Sequence, residues 1–142
     1  MPLHYTKLVV WQRADDLFVE VHRLTHQLFP AIERYEMGSQ MRRAAYSVPA
    51  NVVEGSARQG HGDKIKFFNM ASASLSELTY GIHAALRLGY IDQATHDRLD
   101  EMCRMVAGPL HGLIRHHRTK RLARAIVPIA TTMWLFATAI SG

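Results

Sequence analysis

Apolar residues recur at helical spacing along most of this chain, with no stretch alternating at the period of a strand. Leu17, Val21, Leu24 and Leu28 stand at i, i+4, i+7 and i+11, and Trp11 and Ala14 extend that stripe backwards. Met41, Ala45, Val48 and Val52 form a second stripe. Ile65, Phe68, Ser72, Leu75, Leu78, Ile82 and Leu86 form a third, and Leu99, Cys103, Val106, Leu110 and Leu113 a fourth. Helices are therefore expected from about Leu8 to Phe29, Ser39 to Arg58, Asp63 to Leu88, and onward from Asp92 or Thr95. Short connections make such helices antiparallel neighbours. The predicted fold is all-α, an antiparallel up-down four-helix bundle over residues 1–117, followed by a basic and then apolar tail over 118–142.

Local signals mark the ends. Pro30 pushes the residue before it out of helical geometry. Ser39 and Asp63 are expected N-caps, their side chains accepting from first-turn amides. Gly60 and Gly62 punctuate the second connection, and Gly89 suits a left-handed C-terminal position. Two prolines contradict the pattern. Pro109 is expected to interrupt the fourth helix, and Pro49 sits inside the second, where a proline costs about 3 kcal/mol. A proline kept there bends the helix and frees the carbonyl of Ala45, and Ser47 and Asn51 flank it with short polar groups able to satisfy loosened backbone.

Tyr46, Phe67, Val53 and Tyr80 are apolar or aromatic residues that fall off the main stripes. A helix apolar on more than one side needs burial on more than one side, which predicts oligomerisation.

A chain of 142 residues, 48% hydrophobic and 20% charged, has the balance of one globular domain. Its one cysteine excludes an internal disulfide and any multi-cysteine zinc site, and fits a reducing compartment. The opening MPLHYTKLVVWQRADD has no basic start leading into an apolar run, so no secretory leader is predicted and a cytoplasmic location is expected.

The formal charge of +5 is localised. Arg115, Arg118, Lys120, Arg121 and Arg124 lie within ten residues that contain no acid, while the other twelve Lys and Arg balance the twelve acids. Such a segment is either a phosphate-contacting surface or a solvated basic face. After it comes AIVPIATTMWLFATAISG, eighteen residues without a charge. Its length touches the lower limit for a membrane span, but Pro128, the threonines and Ser141 weaken that reading. Packing on the bundle or inside an oligomer is the expectation, ahead of a poorly ordered terminus and of a membrane anchor.

Signals for chemistry are sparse. His22 and His26 are four apart, but Arg23 lies between them and no acid completes a zinc motif, so no metal site is expected. His116 and His117 lie in the basic run and would add to an anion-binding surface. Cys103 falls on an apolar stripe and reads as a buried, inert thiol. No nucleophile elbow, phosphate loop or dinucleotide fingerprint occurs. No enzyme activity and no cofactor are expected.

The segment SQMRRAAYSVPANVVEG, Ser39 to Gly55, closely resembles the signature of the four-helix-bundle family encoded in intervening sequences of bacterial large-subunit ribosomal RNA genes, once labelled S23 ribosomal protein. Ser39, Gln40, Arg42, Arg43, Ala44, Ser47, Pro49, Ala50, Asn51, Glu54 and Gly55 stand at its positions. LVVWQRADDL with Trp11, SLSEL at Ser74 to Leu78, and LGYI at Leu88 to Ile91 resemble further family stretches. The resemblance spans roughly residues 5 to 117. Val52-Val53 and Tyr80-Gly81 depart from it, and the tail from about Arg118 has no counterpart. The resemblance implies a ring-like homopentamer without an established activity. Similar proteins, the accessory variability proteins of diversity-generating retroelements, bind a reverse transcriptase and structured RNA, which makes both implied partners here.

Two readings of the motif stay open. In one, Ser47, Pro49, Asn51, Glu54 and Gly55 set bundle geometry and subunit contacts, with Arg42 or Glu54 reaching a neighbouring helix or subunit. In the other, Arg42 and Arg43 touch RNA directly. The functional expectation is a non-enzymatic homo-oligomeric scaffold holding RNA or DNA phosphates, through Arg115, Arg118, Lys120, Arg121 and Arg124 first and Arg42 and Arg43 second. The rival is a protein-binding or membrane-associated adaptor that uses the tail.

Overall fold

The computed structural model describes residues 4–140, with side chains through Ile126. A short 3-10 turn, His4–Lys7, leads into four α-helices: α1 (Val9–Leu28), α2 (Met37–Ala57), α3 (His61–Arg87) and α4 (Gln93–Ile140). No strand occurs among the described residues. Each helix packs on its sequence neighbour, and α4 closes the ring against α1.

Cross-helix contacts fix the directions. Thr25 meets Arg42 and Phe18 meets Tyr46, so α1 and α2 run antiparallel. Ser74 meets Ser47, farther along α3 and earlier along α2 than the contact of Phe68 with Gly55. Arg98 reaches Glu20, while Arg13 reaches Met105. Every adjacent pair that these contacts sample is antiparallel, as an up-down bundle requires.

The core is built from the stripes. Leu17, Val21, Met41, Val48, Val52, Phe68, Leu78, Ile82, Leu99, Val106 and Leu110 are almost fully buried. The stripes shift at helix ends, where the chain leaves helical phase: Phe29 is extended, just past the last residue of α1. Leu28 is 50% exposed and Phe29 takes its place in the core at 1%. Toward the far end of α4's stripe, Ile114 rather than Leu113 is the buried residue.

Helix ends follow tertiary packing more than local capping signals. Ser39 lies inside α2, which begins at Met37 behind Glu36, without a side-chain cap. Gly38 explains the earlier start: a methyl group there would sit 2.9 Å from the carbonyl oxygen of Glu33, so the chain turns tightly on a residue with no side chain. Asp63 lies in the first turn of α3 rather than at its cap, which is Gly60. Asp92 does cap α4, accepting from the Thr95 amide at 2.8 Å, and its bonding to Thr95 holds its carboxyl below the ordinary carboxylate range.

Gly89 adopts φ +75°, as its residue type predicts. The amides of Tyr90 and Gly89 bond to the carbonyls of Ala85 and Leu86 at 2.9 and 3.0 Å, the paired pattern of a Schellman end. The turn sends Tyr90 back against the Phe29 ring, with its hydroxyl donating to Glu33 at 3.1 Å. It thereby fastens the α1–α2 connection to the α3–α4 connection.

The expected interruption at Pro109 does not occur: α4 runs through it. Pro109 has no N–H to offer the carbonyl one turn back, that of Met105. The guanidinium of Arg13, from α1, donates to that oxygen at 2.9 Å. α2 likewise runs through the buried Pro49. There Asn51 donates to a backbone carbonyl, as expected of a short polar side chain, but the carbonyl is that of Ser47 rather than Ala45. A side chain on one helix turn reaches the carbonyl four residues back, which from Asn51 is Ser47. No helix among the described residues is long and apolar enough to cross a membrane. The side chains of the apolar tail from Val127 onwards lie outside the described residues.

Candidate nucleic-acid interface

The helical rhythm around Pro49 resolves into specific contacts between helices. Ser74 of α3 donates to the Ser47 hydroxyl at 2.8 Å, and Asn51 donates to that hydroxyl at 3.0 Å, giving a small polar bridge between α2 and α3. Beyond it the helices converge. A Cβ on Gly55 would stand 2.6 and 2.8 Å from two ring carbons of Phe68, so only glycine permits this approach. Lys64 closes the end of α2, donating to the carbonyls of Gly55 and Ser56 at 3.3 and 3.0 Å. Both carbonyls lie in the last turn of α2, where the helix supplies no amide four residues on, and that of Gly55 also accepts from the Arg58 amide at 3.3 Å.

Arg42 is committed inside the chain. Its guanidinium donates to the buried Thr25 hydroxyl at 3.0 Å and to the Arg34 carbonyl at 2.7 Å, tying α2 to the end of α1 and the connection after it. It reaches a neighbouring helix, as one reading of the motif expected, and it leaves the set of free cations. Glu54 does not reach another helix: it pairs with Arg58, four residues on, at 2.8 Å. Arg58 also lies over the Phe67 ring, 4.6 Å from its centre, which partly covers that off-stripe aromatic. Arg43 is exposed.

The basic run lies on the second half of α4. Arg115, Arg118, Lys120, Arg121 and Arg124 are all exposed, and every residue from Arg118 to Ile126 is exposed. Ion pairs among the described residues engage Glu20, Glu54, Asp97, Asp100 and Glu101. None of them involves the five cations of the run. Their charge is therefore uncompensated at short range.

Where α4 passes the start of α3, more basic groups gather. The Nδ1 atoms of His61 and His117 approach to 2.8 Å, and His117 packs on Phe68 and His116. The Arg121 guanidinium lies over the first turn of α3, 3.8 Å from where a methyl on Gly62 would be. Desolvation, followed by the charges of Arg124, His116, Lys64 and Lys120, holds His61 below its ordinary value of 6.5. Desolvation, with His116, His61 and Lys64, does the same to His117. Sequence spacing carries no sign of this pair, since the two histidines belong to different helices.

Other predicted features fall away from this end. His22 and His26 are both exposed, with ring centres 4.9 Å apart. Among the described residues no group of three His, Cys, Asp or Glu is placed to hold a metal ion. Cys103 is buried and its thiol is pushed up to about 11 by desolvation, which makes it unreactive near neutral pH.

Two apolar hollows flank α2. One, about 330 Å³, lies between α1 and α2 and is lined by Trp11, Phe18, Tyr46, Pro49, Val53 and Glu54 among others. The other, about 140 Å³, lies between α2 and α3 beside Met41, Tyr80 and Gly81. Tyr46 is 61% and Tyr80 72% exposed. Off-stripe residues of the sequence thus line both sides of one helix.

The closed ring of four antiparallel helices, with α2 packed through its proline motif and α4 prolonged by cations, defines the class as a small all-helical bundle protein. Within that class, the chain belongs to the 23S rRNA-intervening sequence protein family, whose model matches residues 6–112. The match ends just before Arg115, so the basic run lies beyond the family region. A crystal structure of a protein of unknown function from the S23 ribosomal protein family of Bacteroides thetaiotaomicron shares the fold. Its TM-score is 0.70 at 23% sequence identity, over 75% of this chain and 98% of that one. No curated protein matches the chain.

Proposed function

We propose that this protein is a non-enzymatic homo-oligomeric scaffold that binds structured nucleic acid, RNA foremost, through phosphate contacts. One observation carries the reading: five exposed cations within ten residues of a single helix, none in an ion pair among the described residues. A cation with no local partner retains its full attraction for phosphate, and each phosphate it neutralises releases condensed counterions. Few aromatics accompany the run, which argues against base stacking as the mode of contact. Arg43 stands as a secondary contact. Arg42 does not, because its donors are engaged within the chain.

The test is binding of a structured RNA hairpin as salt is raised. The affinity should fall steeply, and the triple substitution Arg118→Gln, Arg121→Gln, Arg124→Gln should flatten the log–log slope by roughly 0.7 to 0.9 for each phosphate no longer neutralised. The thermal midpoint should stay put, because these side chains form no ion pair among the described residues. Absence of binding at low salt would overturn the reading. Retention on anionic lipid vesicles in its place would favour the membrane-associated adaptor.

A further inference from the structure

The pairing of His61 with His117 adds regulation to that basic end, and the inference rests on the phosphate reading just given. At 2.8 Å, one Nδ1–H must donate to the lone pair of the other Nδ1. A neutral pair satisfies this with one ring as donor and the other as acceptor. Adding one proton, at the donor ring's far nitrogen, keeps the contact and makes it charge-assisted. A second proton would remove the acceptor and break it. The pair can therefore hold one extra proton in place, and the question is what opposes it.

Cations oppose it from both elements. Lys64 faces the pair from α3, and Lys120 and Arg124 face it from α4, with Arg121 over the first turn of α3; the His116 ring packs on His117 beside them. The acid of that turn, Asp63, is exposed, and its carboxylate lies beside Gly60. A phosphate settling among these cations would cancel the repulsion and make room for the proton.

We propose that phosphodiester binding at this end is linked to uptake of one proton by the His61–His117 pair, so that the basic surface is a proton-sensitive phosphate site. Both rings are held below the ordinary histidine value in the free protein, which leaves the proton available to be taken up when an anion arrives. By linkage, one proton taken up per anion strengthens binding by up to about tenfold per pH unit between the free and bound values.

Affinity for a structured RNA hairpin should be measured at constant ionic strength at about pH 8 and about pH 6, a window in which full one-proton linkage gives at most about a hundredfold change. The wild-type chain should tighten by roughly threefold or more toward the lower pH. His61→Gln and His117→Gln should each lose most of that tightening, read as the ratio of affinities at the two pH values and so independent of any change in binding at the upper pH. His83→Gln, an exposed substitution elsewhere on α3, should keep it. Histidine proton resonances followed by NMR should show the two rings titrating at higher pH once RNA is bound. RNA affinity that is equal at both pH values, with binding otherwise intact, would overturn the linkage and spare the phosphate reading. Tightening that survives in both histidine variants would overturn it too. A chain that binds RNA at neither pH would overturn the phosphate reading beneath it.

Discussion

Arg13 illustrates how single side chains make this bundle tolerate its own breakers. Pro109 deletes the donor that Met105's carbonyl would have met, and at this exposed site a hydrogen bond to that carbonyl contributes about 0.5–1.5 kcal/mol net of water's competition. Arg13 supplies a donor from across the α1–α4 seam. Arg13→Ala should therefore destabilise the fold by about 1 kcal/mol in denaturant melts. In a Pro109→Ala background the restored amide serves the carbonyl, and the same substitution should cost less by roughly 0.5 kcal/mol or more. An equal cost in both backgrounds would mean that the guanidinium acts only through packing. No reading of the sequence could have paired the guanidinium with its carbonyl, since Arg13 and Met105 stand 92 residues apart. Pro109 was legible as a problem; its remedy was not, because a remedy in another helix exists only once the helices are side by side. Arg42 teaches the same lesson in reverse. As one of two adjacent arginines it read equally well as an RNA contact, and only its two acceptors, Thr25 and Arg34, separate it from exposed Arg43.

Elements were far more legible than residues, because apolar periodicity reports directly which face a helix buries. All four helices and the Gly89 turn follow from stripes and punctuation. The starts of α2 and α3 do not: at α2 the closeness of neighbouring backbone outweighs a good capping side chain, with Gly38 under the Glu33 carbonyl, and α3 begins behind Gly60 with no side-chain cap. Gly55 shows what the α2 motif contributes at this scale. Its missing side chain sets the α2–α3 separation against Phe68, and Gly55→Ala must push ring or helix aside, at a cost of about 1–3 kcal/mol. A helical glycine with open space around it should behave oppositely. Gly112 in α4 has no atom within 4 Å of an added Cβ, so Gly112→Ala should stabilise by about 0.5–1 kcal/mol. Thermal melts of the two variants side by side make the comparison. If both stabilise, close approach is not what Gly55 provides.

At the scale of the whole molecule, the two sides of α2 pose the question that one chain leaves open. The core uses the stripes, yet Tyr46 and Tyr80 remain largely exposed beside apolar hollows on either side of the same helix. Assembly of identical chains through these faces would bury them, and it would also change the arithmetic of phosphate binding. One basic run offers five cations; several runs on one particle engage the same RNA as linked sites, and linked sites can exceed single-site affinity by about 10² to 10⁴ without any new contact. The salt slope grows with the number of phosphates neutralised, so an assembled particle should show a steeper slope than its protomer. Tyr46→Asp and Tyr80→Asp place a charge on each face at positions too exposed to support the core. Each should lower the particle mass measured by light scattering while leaving the helical signal of the fold intact. RNA affinity should fall with the mass, and the salt slope should become shallower, although no cation has been removed. A variant that becomes monomeric yet binds RNA with the wild-type affinity and slope would show that a single basic run does all the binding. A wild-type chain that is already monomeric at micromolar concentration would remove assembly from the reading, leaving the hollows beside α2 to a different partner.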